Sequence, residues 1–202
     1  GSFTCACNSG YASPGLGSHG QDRPGGARVQ PRCHRGGGSE RWTGVFSTRR
    51  LPVVPNFIVI GQAKCGTTTI CETLRRHPQV FMTEPREPHF YSFENPRLTP
   101  EWYASLYAGV TSERAIGEGS TSYTRPDIYE RCARNIHRAV PDVRLVYVVR
   151  DPIARLESDW KMRVREGRAT WNDINKSLDD NPQVVELGKY WRNLSTYREV
   201  FS

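Results

Sequence analysis

Asn56-Phe-Ile-Val-Ile-Gly-Gln-Ala-Lys-Cys-Gly-Thr-Thr-Thr69 decides the fold of this 202-residue chain. The run from Phe57 to Ile60 is apolar without alternation, the pattern of a strand buried on both faces, and it stops at Gly61. From Thr67 to His77 the residues Ile70, Cys71 and Leu74 fall on one helical face, and Pro78 ends the segment. Strand, glycine-bearing loop and helix in that order form a cradle for an anion. Successive backbone amides converge at a helix N-terminus, where the aligned peptide dipoles favour negative charge. A phosphate or sulfate is expected there.

Outward from this loop, short strands alternate with helices. Strands are expected at Val80 to Thr83, Ala115 to Glu118 and Arg144-Leu-Val-Tyr-Val-Val149. Thr99-Pro100 caps a short helix reaching Ala108. Pro126 is expected to open a helix whose apolar positions Ile128, Cys132, Ile136 and Val140 recur every four residues. Asp151-Pro152 starts another, carrying Ile153, Leu156, Trp160 and Val164, and the last thirty residues look helical. The proline-broken Glu84-Pro-Arg-Glu-Pro-His-Phe-Tyr91 has no regular period. The fold class this predicts is α/β, a P-loop-like, doubly wound parallel sheet flanked by helices. It would occupy residues 51–202 as one domain.

Residues 1–50 have a different texture. Eleven of the 18 glycines lie there, with seven arginines, no lysine and only Asp22 and Glu40 as acids. Such a composition buries too little apolar surface to offset chain entropy, so residues 1–50 are expected to be a disordered leader or non-native segment. That segment carries most of the formal charge of +7, because residues 51–202 hold 21 basic and 19 acidic side chains. A nucleic-acid partner is therefore not expected. No run approaches the roughly 18 apolar residues that span a bilayer, so no membrane span is expected in this chain. Cys5, Cys7 and Cys33 with His34 match no common zinc spacing, and reduced thiols are expected.

The loop departs from the nucleotide-binding pattern G-x-x-x-x-G-K-[ST] in one place: Thr67 stands where the lysine should be, and the lysine is Lys64. Downstream, Arg150 ends a strand and Ser158 follows eight residues later, two helical turns into the next helix, where guanidinium and hydroxyl can grip one phosphate together. These two stretches, with Glu87-Pro-His-Phe90, resemble the sulfotransferases that use 3′-phosphoadenosine 5′-phosphosulfate, especially the carbohydrate-type and bacterial branches. The resemblance covers about Pro55 to Phe201, and the chain looks truncated at its C-terminus.

The resemblance implies that Gly61, Lys64, Cys65, Gly66, Thr67, Thr68 and Thr69 hold the 5′-phosphosulfate and that Arg150 and Ser158 hold the 3′-phosphate. Lys64 acts on the donor, and Glu87, with His89 as its helper or replacement, takes the acceptor proton. Glu118, Ser120 and Tyr123 of Gly117-Glu-Gly-Ser-Thr-Ser-Tyr123 border the acceptor cleft, although a buried Tyr123 under a loop fits as well. Arg155, three residues before Ser158, reads as solvated or paired with Asp151 rather than as a helper on the phosphate. The cosubstrate is 3′-phosphoadenosine 5′-phosphosulfate, with no metal required. The acceptor is a hydroxyl or amine, with a glycan favoured over a small metabolite. A P-loop kinase or NTPase and a non-enzymatic anion-binding protein are the rival readings. The excess of 24 Arg over 4 Lys tilts the expected compartment to a bacterial cytoplasm, and the sequons Asn175-Lys-Ser177 and Asn193-Leu-Ser195 keep a Golgi lumen as the alternative.

Overall fold

A computed structural model describes residues 3–7, 55–92, 95, 97–169 and 173–202. Five strands, β1 (Phe3–Cys7), β2 (Phe57–Gly61), β3 (Val80–Met82), β4 (Ala115–Gly119) and β5 (Arg144–Val149), form one sheet. Its order is β1-β5-β2-β4-β3, and every pairing is parallel. The helices are α1 (Thr67–Arg75), α2 (Pro100–Ser105), α3 (Tyr129–Ala139), α4 (Pro152–Arg165), α5 (Ile174–Asp179), α6 (Gln183–Glu186) and α7 (Tyr190–Val200), with a 3-10 turn at Thr121–Thr124. This is the α/β architecture that the alternating pattern predicts. No helix among the described residues is long and apolar enough to cross a membrane.

β2 is buried at every position because it has a strand on each side and a packed layer on each face. Phe57 and Val59 join Cys71, Met82 and Val148 in a core completed by Ile70 and Leu74 of α1. Full burial of each such side chain is worth about 1.5–3 kcal/mol. From β2 the chain moves to one side of the sheet to build β3 and β4, then crosses to the other side to build β5. The carboxyl ends of β2 and β5 therefore flank the point where the winding reverses, the place where open α/β sheets hold ligands.

Two expectations are corrected. The helix expected from Pro126 begins at Tyr129, because the chain first makes the 3-10 turn and then a turn in which Ile128 N–H donates to Arg125 O at 3.1 Å. The leader expected over residues 1–50 does not hold for Phe3–Cys7, which pairs with β5 from Leu145 to Val149. The free edge of β5 offers unpaired amides and carbonyls to any extended segment, and this one carries no Gly or Pro. Residues 8–50 lie outside the described residues, as do Cys33 and His34.

Candidate active site

The loop after β2 is a tight turn of backbone amides at the N-terminus of α1. Gly61 pairs with Val148 of β5 at φ +152°, and a Cβ there would lie 2.5 Å from the Val148 carbonyl oxygen. Only glycine fits that approach. Lys64 takes a left-handed φ of +72°, unusual for a side-chain-bearing residue, and Gly66 follows at +93° as the N-cap of α1. No side chain caps α1, so its first amides, from Thr67 to Thr69, stay directed at the loop. Cys65 N–H donates to Gln62 O at 3.1 Å, which closes the turn. The Cys65 side chain is buried beneath it, 3.6 Å from Tyr190 OH, and burial raises its thiol above the ordinary range.

Lys64 and Arg150 meet across the switch point. Arg150 Nη1 donates to the Lys64 carbonyl at 3.2 Å, so the residue after β5 braces the loop after β2. Arg150 Nε is buried and has no hydrogen-bond partner among the described residues. The Lys64 ammonium reaches over the loop to within 3.7 Å of Met162 Sδ on α4, and among the described residues no carboxylate pairs with it. Asp151 caps α4 by accepting from Ala154 N–H at 2.8 Å, which sets Ser158 two turns further along the same helix.

Arg155 is neither solvated nor paired with Asp151. It is fully buried and donates through Nη2 to Val184 O, because α6 packs over α4 at that point.

The Glu84–Ser92 segment lies against β4 and the 3-10 turn. Glu87 and His89 both take left-handed backbone conformations, φ +54° and +56°. Glu87 Oε2 accepts from Thr121 Oγ1 at 2.8 Å and lies 3.7 Å from His89 Nε2. On its other side the imidazole shares a 2.7 Å hydrogen bond between Nδ1 and Ser122 Oγ, and burial holds its pKa below the ordinary value. Glu87 and His89 are thus brought together as one pair.

Glu118 is 0 % exposed and Tyr123 is equally buried, so neither borders the cleft directly. The Glu118 carboxylate instead accepts from Tyr123 OH at 2.8 Å, Tyr103 OH at 3.0 Å and Ser120 Oγ at 3.1 Å. Burial pushes its pKa up to about 7 against the pull of these three donors.

A cavity of about 940 Å³ opens in front of His89 and is lined also by Gln62, Thr121, Asp159, Arg163 and Arg168. Asp159 is buried and accepts from Arg163 Nε at 2.7 Å. Sequence reasoning passed over this pair, because an Asp and Arg four apart on a helix look the same on a solvated face as in a cavity wall.

Of the two sequons, Asn175 is exposed. Asn193 is buried and donates to Thr124 O at 2.6 Å.

No protein-family model matches the chain. It is similar to human carbohydrate sulfotransferase 15, 28% identical over 188 residues that span 71% of this chain and 32% of that protein. It is also similar to mouse heparan sulfate glucosamine 3-O-sulfotransferase 6, 33% identical over 154 residues, 73% of this chain and 44% of that protein. Among solved structures it matches a sulfotransferase from Alicyclobacillus acidocaldarius with a TM-score of 0.64 and 27% identity, over 74% of this chain and 70% of that one. The chain spans less than half the length of these two curated relatives.

Proposed function

We propose, on the premise that this chain belongs to the sulfotransferase family, that it moves a sulfuryl group from 3′-phosphoadenosine 5′-phosphosulfate to an acceptor hydroxyl or amine. The observation that carries this reading is the convergence of the Lys64 loop and Arg150 at the carboxyl ends of β2 and β5, tied by the 3.2 Å bond between them. The amides of Gly66 to Thr69 and the Lys64 ammonium take the 5′-phosphosulfate. Arg150, whose buried Nε needs an acceptor, takes the 3′-phosphate with Ser158.

In the reaction the acceptor oxygen attacks sulfur. The bond from sulfur to the 5′-phosphate oxygen breaks with its electron pair on that oxygen, and the acceptor proton passes to Glu87. Lys64 and the loop amides stabilise the charge that grows on the leaving phosphate, a preorganised electrostatic contribution. The His89 imidazole, its pKa lowered by burial, stands 3.7 Å from Glu87 Oε2.

The acceptor class that fits best is a glycan. The names of both curated relatives point to carbohydrate acceptors, and the mixed Gln, Thr, Asp and Arg wall of the cavity suits recognition of a polyhydroxyl compound by hydrogen bonds. Were the chain to pass through a glycosylating lumen, Asn175 would be the modified sequon, since Asn193 is buried.

The test is thermal stability with adenosine 3′,5′-bisphosphate against ATP. At 100 times its dissociation constant the bisphosphate should add about 2.7 kcal/mol, a rise of roughly 5–10 °C for a domain of this size. Equal shifts with ATP would favour a kinase or NTPase instead.

A further inference from the structure

A carboxylate in the middle of a parallel sheet is an expensive residue, because desolvating the charge costs several kcal/mol unless its oxygens are filled. Glu118 stands on β4 opposite Ile58, where an apolar residue would pack without that cost. Its three hydroxyl donors are arranged in an informative way. In its ionised form the Glu118 carboxylate accepts only, so each hydroxyl then aims its hydrogen at Glu118 and turns its lone pairs outward.

Two of those outward lone pairs take backbone amides from a single segment. Ser120 Oγ accepts from His89 N–H at 3.1 Å, and Tyr123 OH accepts from Tyr91 N–H at 3.5 Å. The residue between them, Phe90, stacks on the third donor, Tyr103, with centroids 4.1 Å apart and planes 6° from parallel. All three consecutive residues from His89 to Tyr91 are therefore tied, each through one intermediary, to one buried carboxylate. The first of them, His89, holds a left-handed backbone conformation that a non-glycine residue keeps only where its surroundings impose it.

We propose that Glu118 is a positioning residue which, through Ser120 and Tyr123, sets the backbone of His89 to Tyr91 and so aims the His89 imidazole and its Glu87 partner at the acceptor. This rests on the sulfotransferase reading for the identity of the reaction, but the relay is a property of this chain's own side chains. Glu118 touches neither donor nor acceptor. Its contribution is the polarity it imposes on two hydroxyls, which an apolar residue of the same size cannot supply.

The experiment compares the full chain with Ser120→Ala, Tyr123→Phe and Glu118→Gln. Amide hydrogen exchange is followed at His89 and Tyr91, the His89 imidazole by its Cε1–H resonance, and adenosine 3′,5′-bisphosphate binding by calorimetry. Ser120→Ala should speed exchange at His89, and Tyr123→Phe at Tyr91, each by about 3- to 10-fold, the scale of one lost hydrogen bond. Glu118→Gln should affect both. The imidazole resonance should shift in Ser120→Ala and Glu118→Gln, whereas bisphosphate affinity should stay within about twofold, since the donor loop is held separately. With a turned-over acceptor, kcat should fall by about tenfold at unchanged donor KM, the signature of a displaced group rather than a lost binding contact.

Unmoved His89 exchange and imidazole signals in the two single-hydroxyl variants, with bisphosphate still bound, would overturn the relay. Failure of the unmodified chain to bind bisphosphate, with the exchange pattern as expected, would instead overturn the donor reading. If Glu118→Gln does not fold, the two milder variants carry the decision.

Discussion

The proposed donor end and the proposed acceptor end of this site both lie at the carboxyl ends of the strands of one sheet but are built in different ways. The donor end is one contiguous run, Gly61 to Thr69, with Arg150 contributed by the neighbouring strand, and its shape comes from backbone: positive φ at Lys64 and Gly66, uncapped helix amides, and strand register. The acceptor end is an irregular segment held by side chains from several other elements, among them Tyr103 of α2, Thr121, Ser122 and Tyr123 of the 3-10 turn, and Arg131 and Asn135 of α3. A fixed dipole cradle can be built locally because every peptide carries the necessary N–H. A proton-handling pair needs particular side chains at particular distances, and these arrive only when distant segments meet.

The contrast breaks most sharply on turnover. Glu87→Gln keeps shape but removes the proton acceptor, so the rate should fall by roughly 10²–10⁴ while nucleotide affinity, set at the other end, stays nearly constant. Steady-state rates beside calorimetric affinities check this. Near-normal turnover in Glu87→Gln together with abolished turnover in His89→Ala would transfer the base to His89. Lys64→Ala should lower turnover by about 10²-fold or more whatever acceptor is offered, because it acts on the donor side.

Next in size is a pH effect at the acceptor end. Glu118 titrates near 7 when folded, against 4.5 for an ordinary carboxyl. The folded state therefore binds this proton more tightly. The stability it contributes is complete below about pH 4.5 and is lost as pH rises through about 7, an effect on the order of 3 kcal/mol. The groups around it add little in this range. Tyr91, Tyr103, Tyr107 and Tyr123 are pushed upward by burial, Cys71 is raised to about 12, and Glu87 acts on Glu118 only at longer range.

Glu118→Gln has no such proton, so the stability of the unmodified chain relative to this variant should decline by that amount between pH 4.5 and 8 in urea titrations. His89, whose folded pKa is depressed by burial, works in the opposite direction and is present in both proteins, so only a change in its surroundings enters the difference. A pH-independent difference would mean that Glu118 is not buried as described.

Smaller still is the donor-side grip. Arg150→Ala should weaken bisphosphate binding by roughly 1.5–3 kcal/mol, the range for charge-assisted hydrogen bonds, with acceptor-side exchange and His89 signals untouched. Unchanged affinity would remove Arg150 from the site. Smallest is Thr121→Val, which deletes the 2.8 Å donor to Glu87 and should change kcat only a few-fold, the effect of one partly exposed hydrogen bond. A loss as large as that of Glu87→Gln would show that the carboxylate works only when Thr121 orients it.

The strands were legible wherever burial on both faces removed alternation. The run expected over Arg144 to Val149 is β5 to the residue, and Asp151-Pro152 opens α4 as expected, because a capping carboxylate and an N1 proline signal a helix start by local chemistry alone. Pro126 misled for the same kind of reason. It is an equally good start signal, but the preceding 3-10 turn, held by Tyr197 OH and Asn193 Nδ2 donating to Tyr123 O and Thr124 O at 2.8 and 2.6 Å, moves the helix to Tyr129. Residues some 70 positions away decide that boundary. Arg155 could not be read correctly either, since nothing near it in the chain announces that α6 will cover it.

What the order of amino acids alone established is the strand-loop-helix cradle, the displaced lysine and the Arg150–Ser158 spacing, each a short-range pattern whose physics is complete within a dozen residues. What required the folded molecule is the pairing of Glu87 with His89, the burial of Glu118 and the direction of its three hydroxyl donors. The bonds that place these groups, Thr121 to Glu87, Ser122 to His89 and the His89 amide to Ser120, join segments more than 30 residues apart and have no periodicity to announce them, and the cost of burying a charge appears only when the surrounding strands and rings have closed over it.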